Sequence, residues 1–121
     1  MKNYTDLGQS RALAEIMPIE SADMRIGNYV GKSGKVDGTN IHYYLKGETF
    51  GAPQIIEAWS LAALLNVLPN GTDVVKEEAD TENEKYMCTV GIKDNIISTF
   101  ANNPVDACVE MIVKLNKLKL L

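Results

Sequence analysis

One histidine, one tryptophan and two cysteines occur in this chain of 121 residues, and these scarcities remove whole classes of chemistry. The lone histidine, His42, has no second imidazole with which to share a metal, and no zinc-type Cys/His spacing is present. Cys88 and Cys108 stand apart inside apolar patterns, with no CxxC, and read as reduced core thiols. Long hydrophobic runs are also missing. The longest is Leu61 to Leu65, far short of the roughly 20 apolar residues that span a bilayer. The first eight residues lack the apolar stretch of an export signal, so the sequons Asn3-Tyr4-Thr5 and Asn70-Gly71-Thr72 carry no expected glycan. A soluble cytoplasmic protein without membrane contact is expected.

What is present is enough for an ordinary core. The length fits a single domain over residues 1–121, burying roughly two-thirds of the surface its unfolded chain exposes. With 45% hydrophobic residues, such a domain needs no disulfide or metal staple. The net charge of −4 is uneven. Residues 70–84 hold six acids against Lys76, a local −5, and the remaining eleven basic and ten acidic residues leave +1. The acidity belongs to one polar segment, expected as a mobile loop. The near-neutral body lacks the broad basic footprint of nucleic-acid binders.

The clearest local signal is Trp59-Ser-Leu-Ala-Ala-Leu-Leu-Asn-Val-Leu-Pro-Asn-Gly71. Ser60 is an N-cap, Trp59 and Leu64 occupy the positions of a hydrophobic staple, and Leu61, Leu64, Leu65 and Leu68 share one helical face. Pro69, Asn70 and Gly71 stop the helix. An earlier helix is expected from Thr5 or Asp6 to Met17, ended by Pro18, followed by a capped turn at Glu20-Ser-Ala-Asp-Met24. Residues 25–30 and Ile41 to Leu45 read as strands, with a breaker-rich loop from Gly31 to Asn40 between them. Residues 54–58 fit either a helical or an extended approach. Tyr86, Cys88, Val90 and Ile92 alternate at strand period, Lys93-Asp-Asn95 turns the chain, and Ile96 to Phe100 returns. Asn103-Pro-Val-Asp106 opens a last helix with a cap, proline at N1 and an acid at N3. Val105, Cys108, Ile112 and Leu115 line its buried face, and Lys114, Lys117 and Lys119 suit its C-terminal end. The fold class is α+β, a small domain of order α-β-β-α-β-β-α, with an antiparallel sheet covered by helices mainly on one side.

Motifs for chemistry are weak. Gly27-Asn-Tyr-Val-Gly-Lys-Ser33 ends like a phosphate-binding loop, but three residues separate its glycines where four are needed. Gly34, Asp37 and Gly38 also oppose the helix that must follow. His42 shares a strand face with Tyr44, offering a general base beside a stacking ring, or a satisfied histidine beside an aromatic pair. Asp80, Glu82 and Glu84 alternate without the glycine and spacing of a calcium loop. Glu20, Asp23 and Glu57 are isolated carboxylates in sequence. No catalytic, cofactor-binding or metal-binding residue is assigned.

Tyr4-Thr, Gln9-Ser10, Glu20-Ser-Ala-Asp-Met24, the Trp59 to Pro69 helix and Asn103-Pro-Val-Asp-Ala-Cys-Val-Glu-Met-Ile112 together resemble a group of short hypothetical proteins from gut-bacterial genomes and their prophages. The stretch 25–57 fits that group less well. The group has no assigned activity, so no functional residues transfer. The resemblance implies a small accessory protein of mobile DNA, made in the bacterial cytoplasm.

The favoured expectation is a non-enzymatic protein-interaction module for a host or phage protein, docking through Glu77, Glu78, Asp80, Glu82 and Glu84 onto a basic surface. The alternative is a nucleic-acid-binding accessory protein using the Tyr43/Tyr44 strand and the Gly31–Gly38 loop, with Lys32, Lys35, His42 and Tyr44 as contacts. A small enzyme without a recognisable motif is third. A homodimer through an uncovered sheet face or the last helix is compatible with each.

Overall fold

Asp6 starts the first helix, α1 (Leu7–Ala14), through a capping box. Its carboxylate accepts from the Gln9 N–H at 2.8 Å, and the Gln9 side chain accepts from the Asp6 N–H at 3.1 Å. The computed structural model describes residues 2–28, 41–45, 54–77 and 86–121. Helix α1 ends at Ala14, three residues before the point the sequence suggests. Met17 lies beyond it in a turn, still buried, its N–H on the Leu13 carbonyl. A short 3₁₀ turn follows at Ile19–Ser21, where the Ser21 hydroxyl donates to the Pro18 carbonyl at 2.6 Å.

The first sheet has the order β2-β1-β3, built from β1 (Met24–Asn28), β2 (Ile41–Leu45) and β3 (Gln54–Ala58), all antiparallel. Residues 54–58 thus take the extended alternative. Helix α2 (Leu61–Val67) begins with Ser60 accepting from the Ala63 N–H at 3.2 Å. It stops where Leu68 turns extended before Pro69. Gly71 then takes φ +83°, which closes a turn with the Thr72 N–H on the Pro69 carbonyl at 3.2 Å.

The second sheet has the order β4-β5-β6, from β4 (Asp73–Lys76), β5 (Tyr86–Ile92) and β6 (Asn95–Ala101), again antiparallel. Strand β4 occupies part of the segment expected as a mobile acidic loop. Val74 and Val75 suit a strand, and pairing Val74 with Cys88 sets Val74 against the core. Residues 78–84 of that segment lie outside the described residues, as does the Gly31 to Asn40 loop.

Asn103 caps α3 (Pro104–Lys117), accepting from the Asp106 N–H at 2.9 Å. Val105, Cys108, Met111, Ile112 and Leu115 are fully buried on α3. They face the side of the second sheet that carries Cys88, Val90, Thr99 and Ala101. Burial of each large aliphatic side chain there stabilises the fold by roughly 1.5–3 kcal/mol. The buried Thr99 hydroxyl is satisfied by donating to the Ala107 carbonyl at 2.8 Å. Helix α2 packs on α3, and α1 packs on β3 while touching α3. The α+β class and its order hold, with β3 and β4 as additional strands.

Two polar clusters tie these parts together. Trp59, between β3 and α2, is fully buried. Its Nε1–H donates to Ser21 Oγ at 2.9 Å, its backbone N–H donates to Thr5 Oγ1 at 3.1 Å, and its carbonyl accepts from the Thr5 N–H at 2.9 Å. The second cluster joins the N-terminal segment to α3. Lys2 Nζ donates to Asp6, Gln9 and Asp106 at 3.0, 2.8 and 2.9 Å. Asp106 also accepts from Gln9 Nε2 at 2.7 Å and Asn103 Nδ2 at 2.8 Å. Burial works against the Asp106 charge, but the bonds from Lys2, Gln9 and Asn103 outweigh it and hold the carboxyl below the usual range.

Trp59→Phe is expected to lower stability by about 1–3 kcal/mol, through lost packing and the lost indole bond to Ser21. Ser21→Ala should cost about 1–3 kcal/mol, because it leaves the buried indole N–H unpaired; urea unfolding with an unchanged m-value checks both. For Asp106, a folded pKa below the unfolded one means its stabilisation is present above about pH 4 and is lost as pH falls through the folded value. Asp106→Asn should therefore be less stable than the parent at pH 7, by about 1 kcal/mol after solvent screening. The gap should narrow toward pH 2, as read by urea midpoints across pH.

Candidate functional site

The second sheet has a covered face and an outer one. Strand alternation places Met87, Thr89 and Gly91 on the side away from α3, and the register extends that face across all three strands. Val75, Met87 and Phe100 form one row, Asp73, Thr89 and Ser98 the next, and Gly91 and Ile96 the last. Val75 is 46% exposed, Phe100 43% and Ile96 78%. The Thr89 and Ser98 hydroxyls are 3.3 Å apart, so the middle row is polar. An apolar row thus crosses the sheet from one edge strand to the other. Isolated exposed apolar residues mean little, but an apolar row across a sheet face is a candidate contact surface.

Glu77 is exposed and follows β4 directly. It sits two residues past Val75, and the Lys76–Tyr86–Ala101 row between them belongs to the covered face. The structure therefore brings the first acid of the sequence-predicted docking set beside the apolar row. Glu78, Asp80, Glu82 and Glu84 lie outside the described residues.

On the first sheet, the backbone of His42 pairs with Gly27 and that of Tyr44 with Arg25. Arg25 in turn pairs with Glu57 on β3. Positions 25, 42, 44 and 57 thus share one side of the sheet by register, while Lys32 and Lys35 lie outside the described residues. Arg25 Nε stands 3.4 Å from Glu57 Oε1. Arg25 Nε and Glu57 Oε2 are buried without a hydrogen-bond partner among the described residues. Tyr43, one residue on, packs against Tyr4 with ring centroids 4.1 Å apart and planes at 34°. Burial, with Tyr4 and Asp6 nearby, pushes the Tyr43 phenol above its ordinary range. Its ring already has a protein partner, which weakens it as a platform for a nucleic-acid base.

The chain matches no protein-family model, no curated protein and no solved structure. Among the described residues, no group of three or more His, Cys, Asp or Glu is placed to hold a metal ion, and no helix is long and apolar enough to cross a membrane.

Asp23 and Ser60 are brought together from distant positions. The Ser60 hydroxyl donates to Asp23 Oδ2, and the Ser60 N–H donates to Asp23 Oδ1 at 2.8 Å. The same hydroxyl accepts from the Ala63 N–H. Its lone pair and proton are both committed to starting α2, which makes the pair a structural latch. Glu20 is exposed on its turn. Cys88 and Cys108 are both buried, one on β5 and one on α3. Hydrogen bonding to Cys88, with burial, pushes the Cys108 thiol well above its ordinary range, so it stays protonated and poorly nucleophilic.

Neither the outer row nor the Arg25–Glu57 pair is visible along the chain, because each depends on register between strands far apart in sequence. The only linear signals are Val75 inside a polar segment and Phe100 out of phase with the inward residues of β6. Neither thiol should react with iodoacetamide at pH 8 in the native protein, and both should react once urea unfolds it. Mass spectrometry across the unfolding transition reads this directly.

Proposed function

We propose that this chain is a protein-interaction module whose docking surface is the outer face of the second sheet. The observation that carries the reading is the apolar row Val75–Met87–Phe100 spanning all three strands, about half exposed at Val75 and Phe100. Glu77 supplies a negative charge just past β4, and Glu78, Asp80, Glu82 and Glu84 follow it in sequence. The matching partner presents an apolar strip bordered by lysine or arginine. Apolar contact supplies affinity, and opposite charge supplies orientation and association rate. The resemblance to prophage-encoded proteins supports a host or phage protein in the bacterial cytoplasm as that partner.

The magnitudes suit such a division. Val75 and Phe100 are only about half exposed, so covering both contributes roughly 2 kcal/mol. That is too little for a stable complex alone, given what association costs. The acids must therefore contribute, and binding should weaken as salt rises.

Affinity capture from host lysate, with nuclease present, tests the reading. A V75T/F100T double variant keeps β-compatible side chains and should unfold within a few degrees of the parent, yet lose the captured protein. Neutralising Glu77, Glu78, Asp80, Glu82 and Glu84 together should flatten the salt dependence of capture. Undiminished capture of the same protein by V75T/F100T would overturn the docking face. Bound material that disappears with nuclease would favour the nucleic-acid alternative.

A further inference from the structure

A cleft opens at the end of the second sheet opposite the acidic run. It has a volume of about 420 Å³ and is lined by Ile92, Lys93, Asn95, Ile97, Leu118 and Leu120. Its two walls come from separate chain reversals. The first is the two-residue loop Lys93–Asp94 joining β5 to β6, where Ile92 pairs with Asn95. The second is the end of α3, where the Leu120 N–H reaches the Leu115 carbonyl at 2.8 Å and the Lys119 N–H reaches Asn116 at 3.0 Å. That pattern is a Schellman motif.

Both reversals need a left-handed residue, and glycine is the favoured occupant of each position. Here both are lysines, Lys93 at φ 54° and Lys119 at φ 59°. No other described residue besides glycine has positive φ. Lys114 and Lys117 stand on the last turns of α3. None of the four lysines forms an ion pair with a described residue. The lysines on α3 are accounted for by the negative end of the helix dipole. Lys93 is on no helix and is one of the residues lining the cleft.

We propose that the cleft binds a single-chain aliphatic carboxylate, a medium-chain fatty acid, with its tail among Ile92, Ile97, Leu118 and Leu120 and its carboxylate on Lys93 and the Asn95 amide. The volume falls in the range of small-molecule pockets. Four aliphatic walls with one cation and one amide match a ligand having one apolar chain and one anionic head. Ile92, Asn95 and Ile97 lie on the side of the sheet facing α3, so the site is on the opposite side from the docking face proposed above.

The test is a titration of the ¹⁵N-labelled full chain with sodium decanoate below its micelle concentration, followed by amide shifts. Parallel arms use decanol and vesicles of phosphatidylglycerol. Saturable decanoate shifts confined to Ile92 to Ile97 and Leu118 to Leu121 are expected, with decanol binding more weakly. Lys93→Gln should weaken decanoate roughly two- to fivefold, the scale of an exposed ion pair, and leave decanol unchanged. Lys93→Gly should weaken decanoate similarly while raising the thermal midpoint, since glycine accepts this φ without strain. Absence of saturable shifts, shifts elsewhere, indifference to both Lys93 variants, or binding to vesicles without binding to decanoate would each overturn the proposal.

Discussion

Burying an indole obliges the chain to find a partner for its N–H, and at Trp59 that obligation organises the first half of the molecule. The residue is fully enclosed at the junction of β3 and α2. Its ring donor is met by Ser21, and its backbone groups are met by Thr5. The next residue, Ser60, is held by Asp23. Three segments remote in sequence are thus fixed at one point by donors that lose more if left unpaired than each bond gains. Thr5 is itself bonded to Ser10 at 2.8 Å, which carries the constraint into α1. The N-terminal segment is a structural member for this reason, and the isolated bridge between Tyr4 and Ser60 is its visible trace.

The second half rests on a different force. Helix α3 presents a continuous apolar stripe to one face of the second sheet, with few polar groups to match. Burying one face of a three-stranded sheet settles the register of every strand, since a one-residue slip would exchange its faces. The outer face is then a consequence. Having put Cys88, Val90 and Thr99 inward, the sheet must turn Val75, Met87 and Phe100 outward. Packing alone explains why an apolar row is exposed somewhere on the outer face. It does not explain why the row crosses all three strands beside Glu77, and that is where the interaction reading gains its force.

Signals that act over a few residues were readable in the sequence. The caps at Ser60 and Asn103, the stop at Pro69 to Gly71 and the stripe on α3 all follow from local rules, and each is found where those rules place it. Strand β4 was not readable, because Val74 and Val75 sit among charges and acquire a strand only by pairing with β5. The α1 end was overrun for a related reason. Ile16 and Met17 keep the apolar pattern, but they reach the core from a turn rather than from a helix. Candidate sites suffered most. Asp23 with Ser60, Arg25 with Glu57 and the walls of the 420 Å³ cleft are each assembled from residues that only the fold makes neighbours.

The second sheet also separates charge along its length. Glu77 follows Lys76, which pairs with Tyr86 at one end, while Lys93 follows Ile92 and precedes Asn95 at the other. Strand β5 has seven residues, so the two ends lie about 20 Å apart. At physiological ionic strength that is more than two Debye lengths. Each end is therefore screened from the other. A basic partner approaching the acids feels little repulsion from the lysines, and an anion approaching Lys93 feels little from the acids. The proposed cleft site and the proposed docking face are electrostatically separable, so an effect of one ligand on the other would have to travel through the packing of α3 against the sheet.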